Sequence, residues 1–177
     1  MRIVYLFCCM VFAAPASAAN LNFCWTGANG YTMTGRMQVP DGKMSNAIIT
    51  EEDVTSFKIA GYLEGTLIGT WDMRQRSADT TWHLRFDPIT LTFLTGGSFD
   101  TTRSQGWNAD GNVQNCGSPG FGFNSGNWAQ DVCVNGTYVS DSSVPPDTLF
   151  QATTGPVSPT CDTPNVVSKS PDPSYSD

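Results

Sequence analysis

The stretch from Phe57 to Leu94, FKIAGYLEGTLIGTWDMRQRSADTTWHLRFDPITLTFL, constrains the fold more than any other part of the chain. Apolar and polar residues alternate through it in runs separated by turn residues. Phe57, Ile59 and Leu63 share one parity, as do Leu67, Trp71 and Met73. Trp82, Leu84 and Phe86 form a third set; Ile89, Leu91 and Phe93 form a fourth. Successive side chains on a strand point to opposite faces, so each run has one apolar face and one wet face. With short turns and no helical period, the pattern excludes a parallel α/β architecture. It predicts an all-β chain, an antiparallel β-sandwich or a flattened barrel.

Parity also constrains pairing. A two-residue turn at Glu64-Gly65 sets inward residues against outward ones, which is the consequence of a one-residue slip. A three-residue turn, Leu63-Glu64-Gly65 with Gly65 at positive φ, instead sets Gly61 opposite Leu67 and Phe57 opposite Trp71. The turn Arg74 to Asp79 then brings Trp71 and Trp82 together on the inner face of one hairpin. Proline cannot take positive φ, so Asp87-Pro88 reads as a bulge. Thr80 to Leu94 becomes one long bent strand or a corner that switches sheets.

Residues 1–19 read as a signal peptide: Arg2, an apolar run from Ile3 to Ala14, and the small-residue site Ala16-Ser17-Ala18. The run is shorter than the about 20 residues a bilayer needs. Cys8 and Cys9 follow Phe7 rather than a small residue, so a lipid anchor is not expected. The expected product is secreted or periplasmic, without a membrane anchor, and begins at Ala19 or Asn20. Residues 20–140 read as one β-sandwich domain. Residues 141–177, rich in Pro, Ser, Thr and Asp, read as an irregular arm, pinned at Cys161 and disordered beyond it.

The net charge is −7, only 14% of residues are charged, and Lys and Arg are scattered singly. Nucleic acid and anionic membrane are poor partners for such a chain. Four cysteines outlast the signal. None forms a CxxC pair and the one histidine is remote, so disulfides are expected rather than zinc. The favoured pairing is Cys116 with Cys133, closing a short loop, and Cys24 with Cys161, tying the tail to the first strand.

Tyr31 to Val39 alternates as a strand, Pro40-Asp41-Gly42 is a turn, and Met44 to Ile49 reads as the returning strand. Thr50 to Asp53 has capping-box chemistry for a single turn. Val132 to Val139 encloses Asn135-Gly136, a type I′ hairpin signal that places Cys133 opposite Tyr138. Between them, Thr95 to Phe123 is rich in Gly and Asn and lacks a period, so it reads as a set of long loops, where function tends to sit.

Candidate chemistry is sparse. His83 lies on the outward parity with Arg85, within reach of Asp72, but no GxSxG elbow supplies a nucleophile. The only glutamates are Glu51, Glu52 and Glu64, and no spacing sets two acids face to face for glycoside hydrolysis. No cofactor is expected. Calcium is the one metal that acidity and compartment favour; Asn108-Ala109-Asp110-Gly111-Asn112 is similar to part of an oxygen-ligand loop, with its glycine one position early and no terminal glutamate. Trp25, Tyr31, Trp107 and Trp128 lie in or beside Gly/Asn-rich segments rather than in alternating strands. They are the candidate ligand-binding residues, as stacking platforms for sugars; the competing reading has them covering the ends of a sandwich.

The segments Val54-Thr55-Ser56-Phe57-Lys58-Ile59, Gly69-Thr70-Trp71 and Leu84-Arg85-Phe86-Asp87-Pro88 resemble the repeating strands of bacterial exported β-domains, including those of the PEP-CTERM sorting class. The likeness spans about residues 30–100 and implies an extracytoplasmic β-sandwich. It transfers no functional residue, and the class's proline-containing C-terminal motif and hydrophobic tail are missing here. The leading expectation is an exported, non-catalytic binding or surface-associated module for an extracellular glycan or surface polymer. The alternatives are a secreted hydrolase with its site in the 95–130 loops and a small-ligand β-barrel lined by Phe121-Gly122-Phe123.

Overall fold

A computed structural model describes residues 17–162; residues 1–16 and 163–177, with most of the expected signal and the end of the expected arm, lie outside the described residues. The strands are β1 (Ala18–Thr26), β2 (Tyr31–Pro40), β3 (Ile49–Thr50), β4 (Ser56–Leu63), β5 (Thr66–Asp72), β6 (Trp82–His83), β7 (Arg85–Asp87), β8 (Thr92–Phe93), β9 (Gln105–Trp107), β10 (Phe121–Ser125), β11 (Gln130–Val134), β12 (Thr137–Val144) and β13 (Ala152–Thr153). Two five-stranded antiparallel sheets form, in the orders β13-β1-β2-β4-β5 and β12-β11-β10-β9-β6, with a small third sheet, β3-β7-β8. No sheet closes into a barrel. The fold is an antiparallel, sandwich-like all-β domain stapled by the two expected disulfides, Cys24–Cys161 and Cys116–Cys133.

The alternation becomes the core. Leu21, Phe23 and Trp25 of β1, Met33, Met37 and Val39 of β2, and Phe57 and Ile59 of β4 meet Trp107, Phe121, Phe123 and Val132 of the second sheet. The centre is aromatic: Phe23 stacks on Phe57 at 5.4 Å and meets Phe93 edge-on at 4.9 Å, geometries that ring quadrupoles favour. Phe121 needs a notch in the facing sheet. Gly61 and Gly69 lie directly opposite one another, and a Cβ at Gly61 would come within 2.1 Å of the Phe121 ring. The Phe121-Gly122-Phe123 rings are packed core, and the barrel cavity expected of them is absent.

Four expectations on the β4–β8 stretch are corrected. The β4–β5 turn has two residues, with Leu63 opposite Thr66 and both Glu64 and Gly65 at positive φ. The parity conflict is resolved by a register shift beside Tyr62: Tyr62 faces Leu67 but Gly61 faces Gly69, so Ile59 rather than Phe57 lies opposite Trp71, and Leu67 is left exposed. A bulge supplies the residue that a longer turn was expected to supply. Trp71 and Trp82 do touch, at 5.5 Å, yet they belong to edge strands of different sheets, because the chain crosses between sheets after Asp72. Asp87-Pro88 starts a turn joining β7 to β8, in which Asp87 Oδ1 accepts the amides of Ile89 and Thr90. The corner therefore switches sheets and then folds back as a hairpin.

Two further corrections lie at the flanks. Of the expected returning strand Met44 to Ile49, only Ile49 joins a strand, since the chain leaves β2 through a 3-10 turn at Asp41–Lys43. The domain also continues past residue 140: β12 runs to Val144, Phe150 is fully buried, and β13 pairs with β1. Composition suggested an arm there, but one phenylalanine and two backbone pairings dock it. The Asn135-Gly136 hairpin forms as expected, with Cys133 opposite Tyr138.

Candidate functional site

The four candidate aromatics separate sharply. Trp107 is 0% exposed, packed among the core rings, and Trp25 is buried with its indole N–H donating to Gln130 Oε1 at 2.9 Å. Neither presents a face to a ligand. Tyr31 is half-buried and packs against the core. Trp107 has polar sequence neighbours because it sits on β9, in mid-sheet, where its backbone is paired on both sides and only its ring points inward. Trp128 differs: it is 89% exposed at the tip of the β10–β11 hairpin, in a turn closed by the Gly126 amide donating to Ala129.

Trp128 borders a cavity of about 210 Å³ that Phe99, Asn112, Asn124, Asp131 and Tyr138 also line. Its floor has a physical origin. Asn124, Asp131, Cys133 and Tyr138 share the outer face of the second sheet, as their cross-strand pairing shows. The Cys116–Cys133 disulfide holds the loop carrying Ala109, Val113 and Cys116 down onto that face, where the four form a small apolar cluster. An outward strand position thereby becomes a buried one, and Asp131 is only 5% exposed. The β11–β12 register also breaks between Gln130 and Val132, and bulges of this kind re-aim the side chain between them.

Asp131 is held loosely for so buried an acid. Its Oδ1 has no hydrogen-bond partner, and Oδ2 meets only the Ser143 hydroxyl at 3.5 Å, which itself bonds the Tyr138 hydroxyl at 2.9 Å. Burial pushes the carboxyl up to about 6, partly opposed by Ser143. A buried acceptor without a donor costs about 1–3 kcal/mol, so this group is destabilising unless something supplies a donor. Nothing in the alternation pointed to Asp131. The usable signal was its place two residues before Cys133, on the face that the short disulfide loop covers.

His83 is 4% exposed rather than on a wet face, because the loop Ser98–Ser104 folds over it. Its Nε2–H donates to the Thr101 carbonyl at 2.9 Å. Nδ1 has no hydrogen bond; Asp100 Oδ1 lies 3.2 Å away and Glu51 Oε1 4.0 Å. Asp72, the expected orienting acid, is instead held by Lys58 and Arg74, which keep its carboxyl well below the usual range. Glu51 Oε2 accepts from the Leu84 amide and Arg85; burial raises this carboxyl, but those donors outweigh it and leave it below its ordinary value. Among the described residues no hydroxyl or thiol bonds the imidazole. Two acids do converge on it.

The Asn108–Asn112 segment uses its oxygens internally. Asp110 Oδ1 accepts the amides of Asn112 and Val113, and Asn115 Oδ1 accepts that of Asp110, which is turn chemistry. Among the described residues, no group of three or more His, Cys, Asp or Glu is arranged to hold a metal ion. No described helix is long and apolar enough to cross a membrane. Comparisons with protein-family models, curated proteins and solved structures find no match.

Proposed function

We propose that this chain is an exported, non-catalytic binding module that holds a glycan at the Trp128 cavity. The observation that carries the reading is the pairing of an exposed indole with a buried, unpartnered carboxylate oxygen in one small recess. A sugar ring presents an apolar C–H face and a rim of hydroxyls. The face suits Trp128, and the ring hydroxyls suit the Asp131 carboxyl and the Asn112 and Asn124 amides that line the recess. Export is supported by the signal-like N-terminus and by two disulfides, which persist in oxidising compartments. A glycan array probed with the secreted protein and with Trp128→Ala tests the reading. It expects a defined set of glycans bound by the parent and lost in the variant; an array blank for both sinks it.

A second reading, a hydrolase, is favoured by the convergence of Glu51 and Asp100 on His83. It requires ester or glycoside turnover that His83→Ala abolishes and Trp128→Ala preserves. A panel of chromogenic esters and glycosides decides between the two readings.

A further inference from the structure

The outer face of the first sheet carries a second recess, unrelated to Trp128, of about 660 Å³. Its floor is made of small side chains, Thr34, Ala60 and Thr70, which stand side by side on β2, β4 and β5. One wall is the segment with Pro156 and Val157, laid across the sheet after β13. The Cys24–Cys161 disulfide fixes that segment, together with Asn22 Nδ2 donating to the Gly155 carbonyl at 2.9 Å and Thr32 Oγ1 to that of Pro159 at 2.5 Å. The trough is therefore built by fixed parts.

One cross-strand row of this trough runs Asn22, Arg36, Lys58, Asp72. Like charges directly opposite on neighbouring strands are destabilising, and Arg36 and Lys58 are such a pair. Lys58 is relieved by Asp72 at 3.0 Å, but Asp72 is already shared with Arg74. Arg36 makes no ion pair among the described residues; its Nε donates to Asn22 Oδ1 at 3.2 Å, and its other guanidinium nitrogens meet no acceptor among those residues. The sequence scatters its few cations singly, yet the sheet sets two of them, Arg36 and Lys58, side by side in one trough in a chain of net charge −7.

We infer that this trough binds a carboxylated polysaccharide, with Arg36 taking a uronate carboxylate. A guanidinium fork with its terminal nitrogens free matches a carboxylate in two-point geometry. The threonine floor and the Asn22 and Gln75 amides suit hydroxyls, and the flat floor admits a ring that a bulky side chain would exclude. Polysaccharide is favoured over acidic peptide because the floor offers the side-chain faces of β2, β4 and the edge strand β5, with hydroxyls and amides; a peptide strand added to the free edge of β5 would lie beside the trough rather than in it.

Isothermal titration of the secreted protein with oligogalacturonate tests this, alongside its carboxyl-reduced neutral counterpart and oligoglutamate. The inference expects oligogalacturonate to bind and the neutral chain to bind at least about tenfold more weakly, as for loss of a charge-assisted pair. Arg36→Gln should reduce oligogalacturonate affinity by a similar factor. Thr70→Trp, which fills the trough from an exposed position, should block binding. Trp128→Ala should leave this titration unchanged, so its outcome is separate from that of the Trp128 cavity. No heat of binding with oligogalacturonate, equal binding of oligoglutamate, or unchanged affinity in both Arg36→Gln and Thr70→Trp would each overturn it.

Discussion

Trp107→Ala should be among the most damaging single substitutions in this chain, although its sequence neighbours are polar. The indole is fully buried and meets Phe57, Phe123, Phe93, Phe23 and Phe150 at 4.7, 4.9, 5.1, 5.5 and 5.8 Å. Truncating a buried tryptophan typically costs about 3–5 kcal/mol, and loss of several edge and tilted ring contacts places this site at the upper end. One feature acts the other way. The buried Nε1–H has no acceptor, and removing such an orphaned donor returns about 1–3 kcal/mol. Trp107→Phe keeps a ring in the cluster and deletes the orphan, so its net cost should stay below about 1.5 kcal/mol, the range of volume-tolerant core exchanges. Urea unfolding followed by far-UV circular dichroism, disulfides intact, gives both numbers from midpoint shifts at constant m-value. A Trp107→Ala loss under about 1 kcal/mol, or a Phe variant as damaged as the Ala variant, refutes the packing argument.

Gly61→Ala should destabilise by about 1–3 kcal/mol through the clash with the Phe121 ring, whereas Gly42→Ala, where nothing lies near, should change the urea midpoint little. For Asp131, a folded carboxyl near 6 against an ordinary 3.8 means the native state keeps its proton longer than the unfolded chain. The protonated form is favoured below about pH 4, and that advantage is lost as pH rises to 6. Asp131→Asn should therefore gain on the parent by an amount on the order of 2–3 kcal/mol between pH 4 and pH 7 in urea melts. A parent–variant difference that does not change with pH counts against the burial argument. Intact-mass analysis of secreted protein should show a chain beginning at Ala19 or Asn20; retention of Cys8 and Cys9 contradicts export.

The parts of the fold that alternation reached are those where one face is buried and pairing is regular. Phe57, Ile59 and the Asn135-Gly136 hairpin were legible because period and turn chemistry agree there. The β4–β5 register was not, since a two-residue turn plus a bulge at Ile68 gives much the same burial as a longer turn without one. Trp25 and Trp107 were misplaced because a Gly/Asn-rich neighbourhood reports backbone freedom and says nothing of where a ring points. His83 and Asp131 failed for a shared reason. Both sit at outward strand positions, and both are buried by long loops that carry no period of their own. The disulfides were the most legible long-range contacts, because the four cysteines beyond residue 19 leave few arrangements.

The central claim is that Trp128, alone among the indoles, meets a sugar. The chain has five tryptophans, so a ¹⁵N–¹H spectrum has five indole Nε1–H cross-peaks, and Trp128→Ala identifies one of them by its loss. Titrating an array-selected glycan should shift that cross-peak progressively while those of Trp25, Trp71 and Trp107, buried in the core, hold still. The corresponding Trp128→Ala affinity should fall by about 2 kcal/mol or more with an unchanged melting transition. A glycan that binds while the Trp128 cross-peak stays fixed contradicts the account.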